Sequence, residues 1–402
     1  MKKLFISMLA LAAIATFNSC SSSDDSSNNG EPTGQKDGLI SSQTDEDLDP
    51  AALKGDVVAN VTLTSDQTWI LTGPLSVKDG FTLTIEPGTS ILAQAGGTNV
   101  YVVVEQGAKI NAAGTASAPI TFTSNAANPR SGDWGGILIN GYAKISGGGT
   151  ATTEVLPLAY GGNDDSDNSG VMSHVVIEYT GARINGEKEF NGLTLYAVGS
   201  QTQLNNIAIK EGDDDGIEFF GGTVSVENLL VIDSRDDLFD FTQGWKGTAN
   251  SNWYGVRTLG FTSISEDTRG IEGDGNLDGN SPSDEGQSNP TINNVTILNN
   301  GIIEFADLVK VRRGASATIT NLYLGFNQDN NEDAAPSASD TIDLTDSKGD
   351  ALASTSITGS VNATSGVDIE DIKNESGALV TLTDGSTPSV DKNIFSWTGL
   401  SF

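Results

Sequence analysis

The sequence predicts an all-β chain: a single right-handed parallel β-helix, a solenoid wound behind a flexible N-terminal stretch. Three observations predict it. From Gly55 onward, short runs alternate apolar and polar residues, as in Val57 to Leu63, Trp69 to Leu71, Phe81 to Ile85 and Tyr101 to Val104, with Gly, Asn, Asp or Pro between them. No stretch combines sustained helical spacing with capping residues. The chain also repeats itself: Asn206-Ile207-Ala208-Ile209 recurs as Asn228-Leu229-Leu230-Val231 at an offset of 22 residues. A repeat of about 22 residues has room for two or three strands and their turns but none for a helix, so its apolar side chains are buried by neighbouring coils.

The chain has 402 residues, with 53 Asp plus Glu against 21 Lys plus Arg, for a net charge of −32. Such a surface repels nucleic acid and attracts cations. Lys2 and Lys3 precede an apolar run, Leu4 to Phe17, too short for a membrane span. It ends at Phe17-Asn18-Ser19-Cys20, which resembles the lipobox of bacterial lipoproteins. That resemblance implies a signal peptide over residues 1–19 and acylation of Cys20, the one cysteine. A polar run from Ser21 to Gly30 follows; with the acidic stretch at Asp45-Glu46-Asp47, it reads as a tether over 20–54. Ser/Asp residues directly behind the lipid cysteine resemble the export signal of Bacteroidota surface lipoproteins, which implies an outer-membrane lipoprotein facing the cell exterior. The β-helix is expected over 55–328, and residues 329–402 as final coils or a C-terminal cap.

The same offset of 22 maps Asp214-Asp215 onto Asp236-Asp237, Ile217 onto Phe239, Glu218 onto Asp240 and Phe219 onto Phe241. Ser173-His174-Val175-Val176-Ile177 and Asn293-Asn294-Val295-Thr296-Ile297 match the first strand; Gly136-Ile137-Leu138-Ile139, Asn191-Gly192-Leu193-Thr194-Leu195, Gly270-Ile271-Glu272 and Asp307-Leu308-Val309-Lys310-Val311 match the second. Asn before a strand predicts a stacked Asn ladder, with His174 in its column. With Ile217 and Phe219 inward, Glu218 points out. The outward column then runs Thr194, Glu218, Asp240, Glu272, Lys310. Carboxylates directly opposite one another destabilise a sheet. Asp214, Asp215, Glu218, Asp236, Asp237 and Asp240 therefore call for a bound cation, raised pKa values or nearby bases, unless they splay into water. The nearby bases are Arg235, Arg269, Lys310, Arg312 and Arg313.

Asp274, Asn276, Asp278, Gly279 and Glu285 fall at the first, third, fifth, sixth and twelfth positions of a calcium loop. Pro282 and Ser281 depart from that pattern, and no helices flank it. Trp245, Trp253 and Tyr254 lie in a Gly/Asn-rich stretch after the acidic coil. They either stack on a sugar ligand or pack back on the coil. With one His and one Cys in the chain, Ser-His-Asp, Cys-His and His/Cys zinc sites have no support.

Gly132-Asp133-Trp134-Gly135-Gly136-Ile137 and Ser173-His174-Val175-Val176-Ile177-Glu178-Tyr179 resemble segments of the pectin-lyase-like superfamily of right-handed β-helix proteins. Polysaccharide lyases of that fold use Ca²⁺ and an Arg or Lys base. The resemblance would place the metal on Asp215, Glu218, Asp237 and Asp240, and the base at Arg269, Lys310 or Arg312. Inverting hydrolases of the fold use several Asp residues, but their Gly-His-Gly segment is absent here. Two readings stand. The first is a non-catalytic binding or adhesion protein with a calcium-stabilised acidic face toward a glycan or an outer-membrane partner. The second is a Ca²⁺-dependent lyase of acidic polysaccharide.

Overall fold

The computed structural model describes residues 37–185, 188–281, 283–326 and 336–402. They form a right-handed parallel β-helix. Twenty-five strands join one hydrogen-bonded sheet, and every strand pairing in it is parallel. The one antiparallel pair of strands, Ala151–Thr152 with Ala159–Tyr160, belongs to an excursion beside the coils.

Two ladders of strands carry the argument. The first stacks Ile137–Asn140, Leu193–Tyr196, Ile217–Phe220, Phe239–Thr242, Arg269–Asp274, Phe305–Arg312 and Ala338–Asp343. The second stacks Gly170–Glu178, Gln203–Lys210, Val226–Ile232, Asn250–Arg257, Thr291–Asn299, Thr318–Phe326, Ser356–Val361 and Leu379–Asp384. Side chains alternate between faces along a strand. In-register stacking therefore lines up Ile137, Leu193, Ile217, Phe239, Ile271, Val309 and Ile342 as one inward file, each at most 1% exposed. Burying each such side chain stabilises the fold by about 1.5–3 kcal/mol relative to exposure.

The Asn ladder forms as predicted. His174, Asn206, Asn228, Asn252, Asn294 and Asn321 share one bend, all with φ between 49° and 59°. Asn tolerates this left-handed conformation better than most residues with a side chain. Each amide then serves the next: Asn228 donates to Asn206 (3.1 Å), Asn252 to Asn228 (2.8 Å), Asn294 to Asn252 (3.0 Å) and Asn321 to Asn294 (2.9 Å).

The N-terminal end of the solenoid differs from the sequence expectation. Residues 37–54 were assigned to the tether, yet Leu39–Ile40 pairs with Leu53–Val57, and Ile40 and Leu53 are fully buried. The acidic residues there hold turns: Asp47 accepts the amides of Asp37 and Gly38, Asp45 that of Ser41, and Asp49 that of Ala51. An Asp can thus order a turn through its own backbone contacts, which composition alone reads as disorder. Cys20 and most of the proposed tether lie outside the described residues.

At the other end, coils continue to Asp384. The remaining chain then doubles back along the outer face of the second ladder. Ser389 donates to Asn321 (3.2 Å), and the Val390 amide to the Thr296 hydroxyl (3.0 Å). Phe395 and Phe402 meet Tyr254 edge-on at 6.2 and 5.4 Å, and Trp397 meets His174 at 5.1 Å. The segment covers outward Val176, Ala208, Leu230 and Ile232.

The ladder makes a quantitative expectation. Asn228→Ala removes an amide link and forces a Cβ residue to hold φ 57°, lowering stability by about 2 kcal/mol. Asn228→Gly keeps the backbone at ease and loses roughly half as much. Urea unfolding of the two variants checks this; equal losses would show that the backbone conformation contributes nothing.

Candidate functional site

Three files of side chains point outward from the first ladder. Two residues before each inward Leu193, Ile217, Phe239, Ile271, Val309 and Ile342 stand Asn191, Asp215, Asp237, Arg269, Asp307 and Asp340. One residue after them stand Thr194, Glu218, Asp240, Glu272, Lys310 and Asp343, in direct register. The third file includes Tyr196, Phe220 and Thr242, and further along Asp274 beside Arg312. The outward column read from sequence is therefore present.

Its two halves solve the charge problem differently. In the C-terminal half, cations interleave with carboxylates. Arg269 binds Glu272, Asp307 (3.0 Å) and Asp267 (3.3 Å). Arg312 binds Glu272 and Asp274 (2.9 Å), Arg313 binds Asp274 (2.5 Å), and Lys310 binds Asp343 (2.5 Å). In the N-terminal half, the interleaving stops. Oxygens of Asp215, Glu218 and Asp240 lie within 4.8 Å of one another, as do those of Asp214, Asp215 and Asp236. Among the described residues, the one ion pair that reaches Asp215, Glu218, Asp237 or Asp240 is Arg269 to Asp237 at 4.0 Å. Arg183 and Arg235 stand at the rim, on Asp214 (3.0 Å) and Asp213 (2.8 Å).

The hydrogen bonds available do not saturate this half. Asp215 Oδ1 accepts the Asp237 amide (2.9 Å), and Asn191 Nδ2 donates to Glu218 Oε2 (2.6 Å). Among the described residues, Asp240 Oδ1 and Asn191 Oδ1 are buried with no hydrogen-bond partner. Burial and mutual repulsion both push the carboxyls up. Asp215, Glu218 and Asp240 titrate well above the ordinary range, burial being the largest cause and neighbouring carboxylates the next. Burial, with Asp236 beside it, pushes Asp237 up to about 8. These groups face a recess of about 500 Å³ that also includes Asp214, Asp236 and Asp267. Glu218, Asp236 and Asp240 also line a cleft of about 450 Å³ whose other wall carries Arg269, Arg312 and Arg313.

Several sequence-assigned residues lie elsewhere. In the loop from Asp274 to Glu285, the described side chains of Asp274, Asn276 and Glu285 point to different partners. Asp274 is held by Arg312 and Arg313. Asn276 is fully buried, donating to Gln287 (2.8 Å) and the Arg313 carbonyl (3.0 Å) while accepting the Ser281 amide (2.7 Å). Glu285 is exposed in a separate groove with Lys144 and Lys246. The Asp278 side chain and Pro282 lie outside what is described. Arginine takes the position the motif suggested for calcium, because Arg312 and Arg313 arrive on the next coil.

Trp245 and Trp253 are fully buried, donating to the carbonyls of Val224 (2.9 Å) and Val226 (3.0 Å) and stacking with Phe219. Neither is free to stack on a ligand. Trp253 sits in the inward file with Leu229 and Val295, and Tyr254 faces outward beneath the C-terminal segment. The missed signal was Asn252: an Asn followed by an apolar residue, 24 positions after Asn228, marks a regular coil.

Arg269, Lys310 and Arg312 do share the acidic face, but each is engaged by carboxylates. Asn191 aligns with the second strand of the repeat in the sequence but was not assigned to the site. The signal was available, since it precedes the already aligned Leu193 as Asp215 precedes Ile217.

Raised carboxyl pKa values mean that the folded protein holds more protons than the unfolded chain between about pH 4 and 8. Their contribution is therefore present at low pH and lost as pH rises. The metal-free protein is expected to melt lower at pH 8 than at pH 5.5, with Ca²⁺ narrowing the gap at pH 8. Scanning calorimetry in chelator and in Ca²⁺ measures this; a higher melting point at pH 8 in chelator contradicts the electrostatic account.

Residues 55–398 match the family described as pectate-lyase like beta helix domain. Searches of curated proteins and of solved structures yield no match. The family supports a carbohydrate-related role in general terms. With 55–398 covering most of the chain, the protein belongs to the pectate-lyase-like β-helix family.

Proposed function

We propose that this chain is a surface lipoprotein, anchored through Cys20, that binds an acidic glycan non-catalytically through a divalent cation held on the face of its β-helix. The observation that carries the reading is the unneutralised pair of coils. Asp215, Glu218 and Asp240 are drawn together by register, while among the described residues two buried oxygens, on Asp240 and Asn191, have no hydrogen-bond partner. A hard cation such as Ca²⁺, which takes six to eight oxygens, answers both features. A chain of net charge −32 repels a polyanion, so a bridging cation also explains how an acidic polymer approaches. Asp215, Glu218 and Asp240 would hold the ion, and Arg269, Arg312 and Arg313 across the cleft would face carboxylates of the ligand.

Binding is favoured over cleavage because every candidate base is tied up: Arg269 by Glu272, Asp307 and Asp267, Arg312 by Glu272 and Asp274, and Lys310 by Asp343. One observation favours the second reading, a Ca²⁺-dependent lyase. Burial, helped by Arg269 and Arg313, brings Arg312 down to about 10, toward the range of a base.

Incubation with polyuronates in Ca²⁺ decides between them. The binding reading predicts flat absorbance near 235 nm, retention on immobilised acidic glycan, and release by chelator. Asp215→Asn is expected to weaken retention by about tenfold or more. Rising absorbance replaces this reading with the lyase; retention unchanged by chelator removes the cation from either. For the anchor, Cys20→Ala is expected to move the protein from the membrane fraction to the soluble one, and persistence in the membrane would refute acylation at Cys20.

A further inference from the structure

We propose that Asn191 is a ligand of the cation, supplying a neutral oxygen from the coil above the acidic pair. This rests on the cation-binding reading and adds a residue that the carboxylate pattern does not reveal. Asn191 occupies the same file as Asp215, Asp237, Arg269, Asp307 and Asp340. It alone in that file is uncharged. It is 2% exposed, and its amide reaches the cluster, with Nδ2 2.6 Å from Glu218 Oε2. The other end of the same amide, Oδ1, is buried with no hydrogen-bond partner.

A buried carbonyl oxygen without a partner is a standing cost to the fold. Half a turn of the amide exchanges its nitrogen for its oxygen within nearly the same volume. In the cation-free cluster, the amide serves Glu218 as a donor. With a cation among Asp215, Glu218 and Asp240, the oxygen is the end that fits, and carbonyl oxygens of this kind are ordinary calcium ligands. An Asp in its place would set a further carboxylate beside Asp215 and Glu218, worsening the repulsion whenever the ion is absent. Asn therefore adds an oxygen without adding charge.

Calcium titration calorimetry on the full chain, with Tb³⁺ luminescence in parallel, tests the assignment. Asn191→Ala and Asn191→Asp both remove the amide donor to Glu218, but only Asp retains an oxygen. If Asn191 ligates the ion, Ala is expected to weaken Ca²⁺ binding by about tenfold while Asp binds at least as tightly as the parent chain. If Asn191 merely steadies Glu218, Ala and Asp weaken binding alike, and the inference falls. Unchanged affinity in Asn191→Ala overturns it too. Melting in chelator reports whether each variant is folded, and Asn191→Ser replaces Ala if Ala is not; Ser is then expected to weaken binding about as much, and parent-like affinity overturns the inference. A parent chain that takes up neither Ca²⁺ nor Tb³⁺ defeats the cation reading itself, which separates that failure from the failure of Asn191's role.

Discussion

A parallel β-helix obliges each residue to sit directly above its counterpart in the next coil, about 4.8 Å away. Whatever occupies one position on the repeat is stacked on its own kind unless the sequence intervenes. For apolar residues the obligation is favourable, and the inward file from Ile137 to Ile342 is the result. For Asn it is favourable as well, because an amide both donates and accepts, and the ladder from Asn206 to Asn321 links its members end to end. For carboxylates it is unfavourable, and the acidic face is shaped by that cost.

The C-terminal coils relieve the cost with Arg269, Lys310, Arg312 and Arg313, set so that each guanidinium or ammonium lies between carboxylates. The same chemistry was available two coils earlier, and the sequence places none there. Asp215, Glu218 and Asp240 are left with no cationic side chain in ion-pair reach among the described residues. A fold that neutralises half of a charged column and leaves the other half open has a polarised cleft: carboxylate-lined at one end, guanidinium-lined at the other. That polarity, more than the fold, is the basis for assigning a ligand-binding role.

The fold was legible because its signal is periodic. The 22-residue offset set Glu218 over Asp240, and that register is observed. Asn206 and Asn228 likewise announced the ladder. What failed was reading by local motif. Asp274-Gly275-Asn276 has the spacing of a calcium loop, but ligand spacing within one loop says nothing about Arg312 and Arg313 arriving from the coil below. Trp245 and Trp253 sat among Gly and Asn, where stacking on a sugar and packing on the coil were both open, although Asn252 marked the coil's bend. The acidic stretch at Asp45 and Asp47 read as tether because composition does not distinguish an Asp that faces water from one that caps a turn. Register across coils carries long-range information here, and sequence-local patterns do not.

Everything proposed for the acidic face requires a cation that completes the column at Asp215, Glu218 and Asp240. Anomalous diffraction from crystals of the full chain soaked in Tb³⁺ tests for it. A peak is expected at coordination distance, about 2.3–2.6 Å, from oxygens of those three residues. A map with no peak there, or with its only peak in the loop between Asp274 and Glu285, would contradict it.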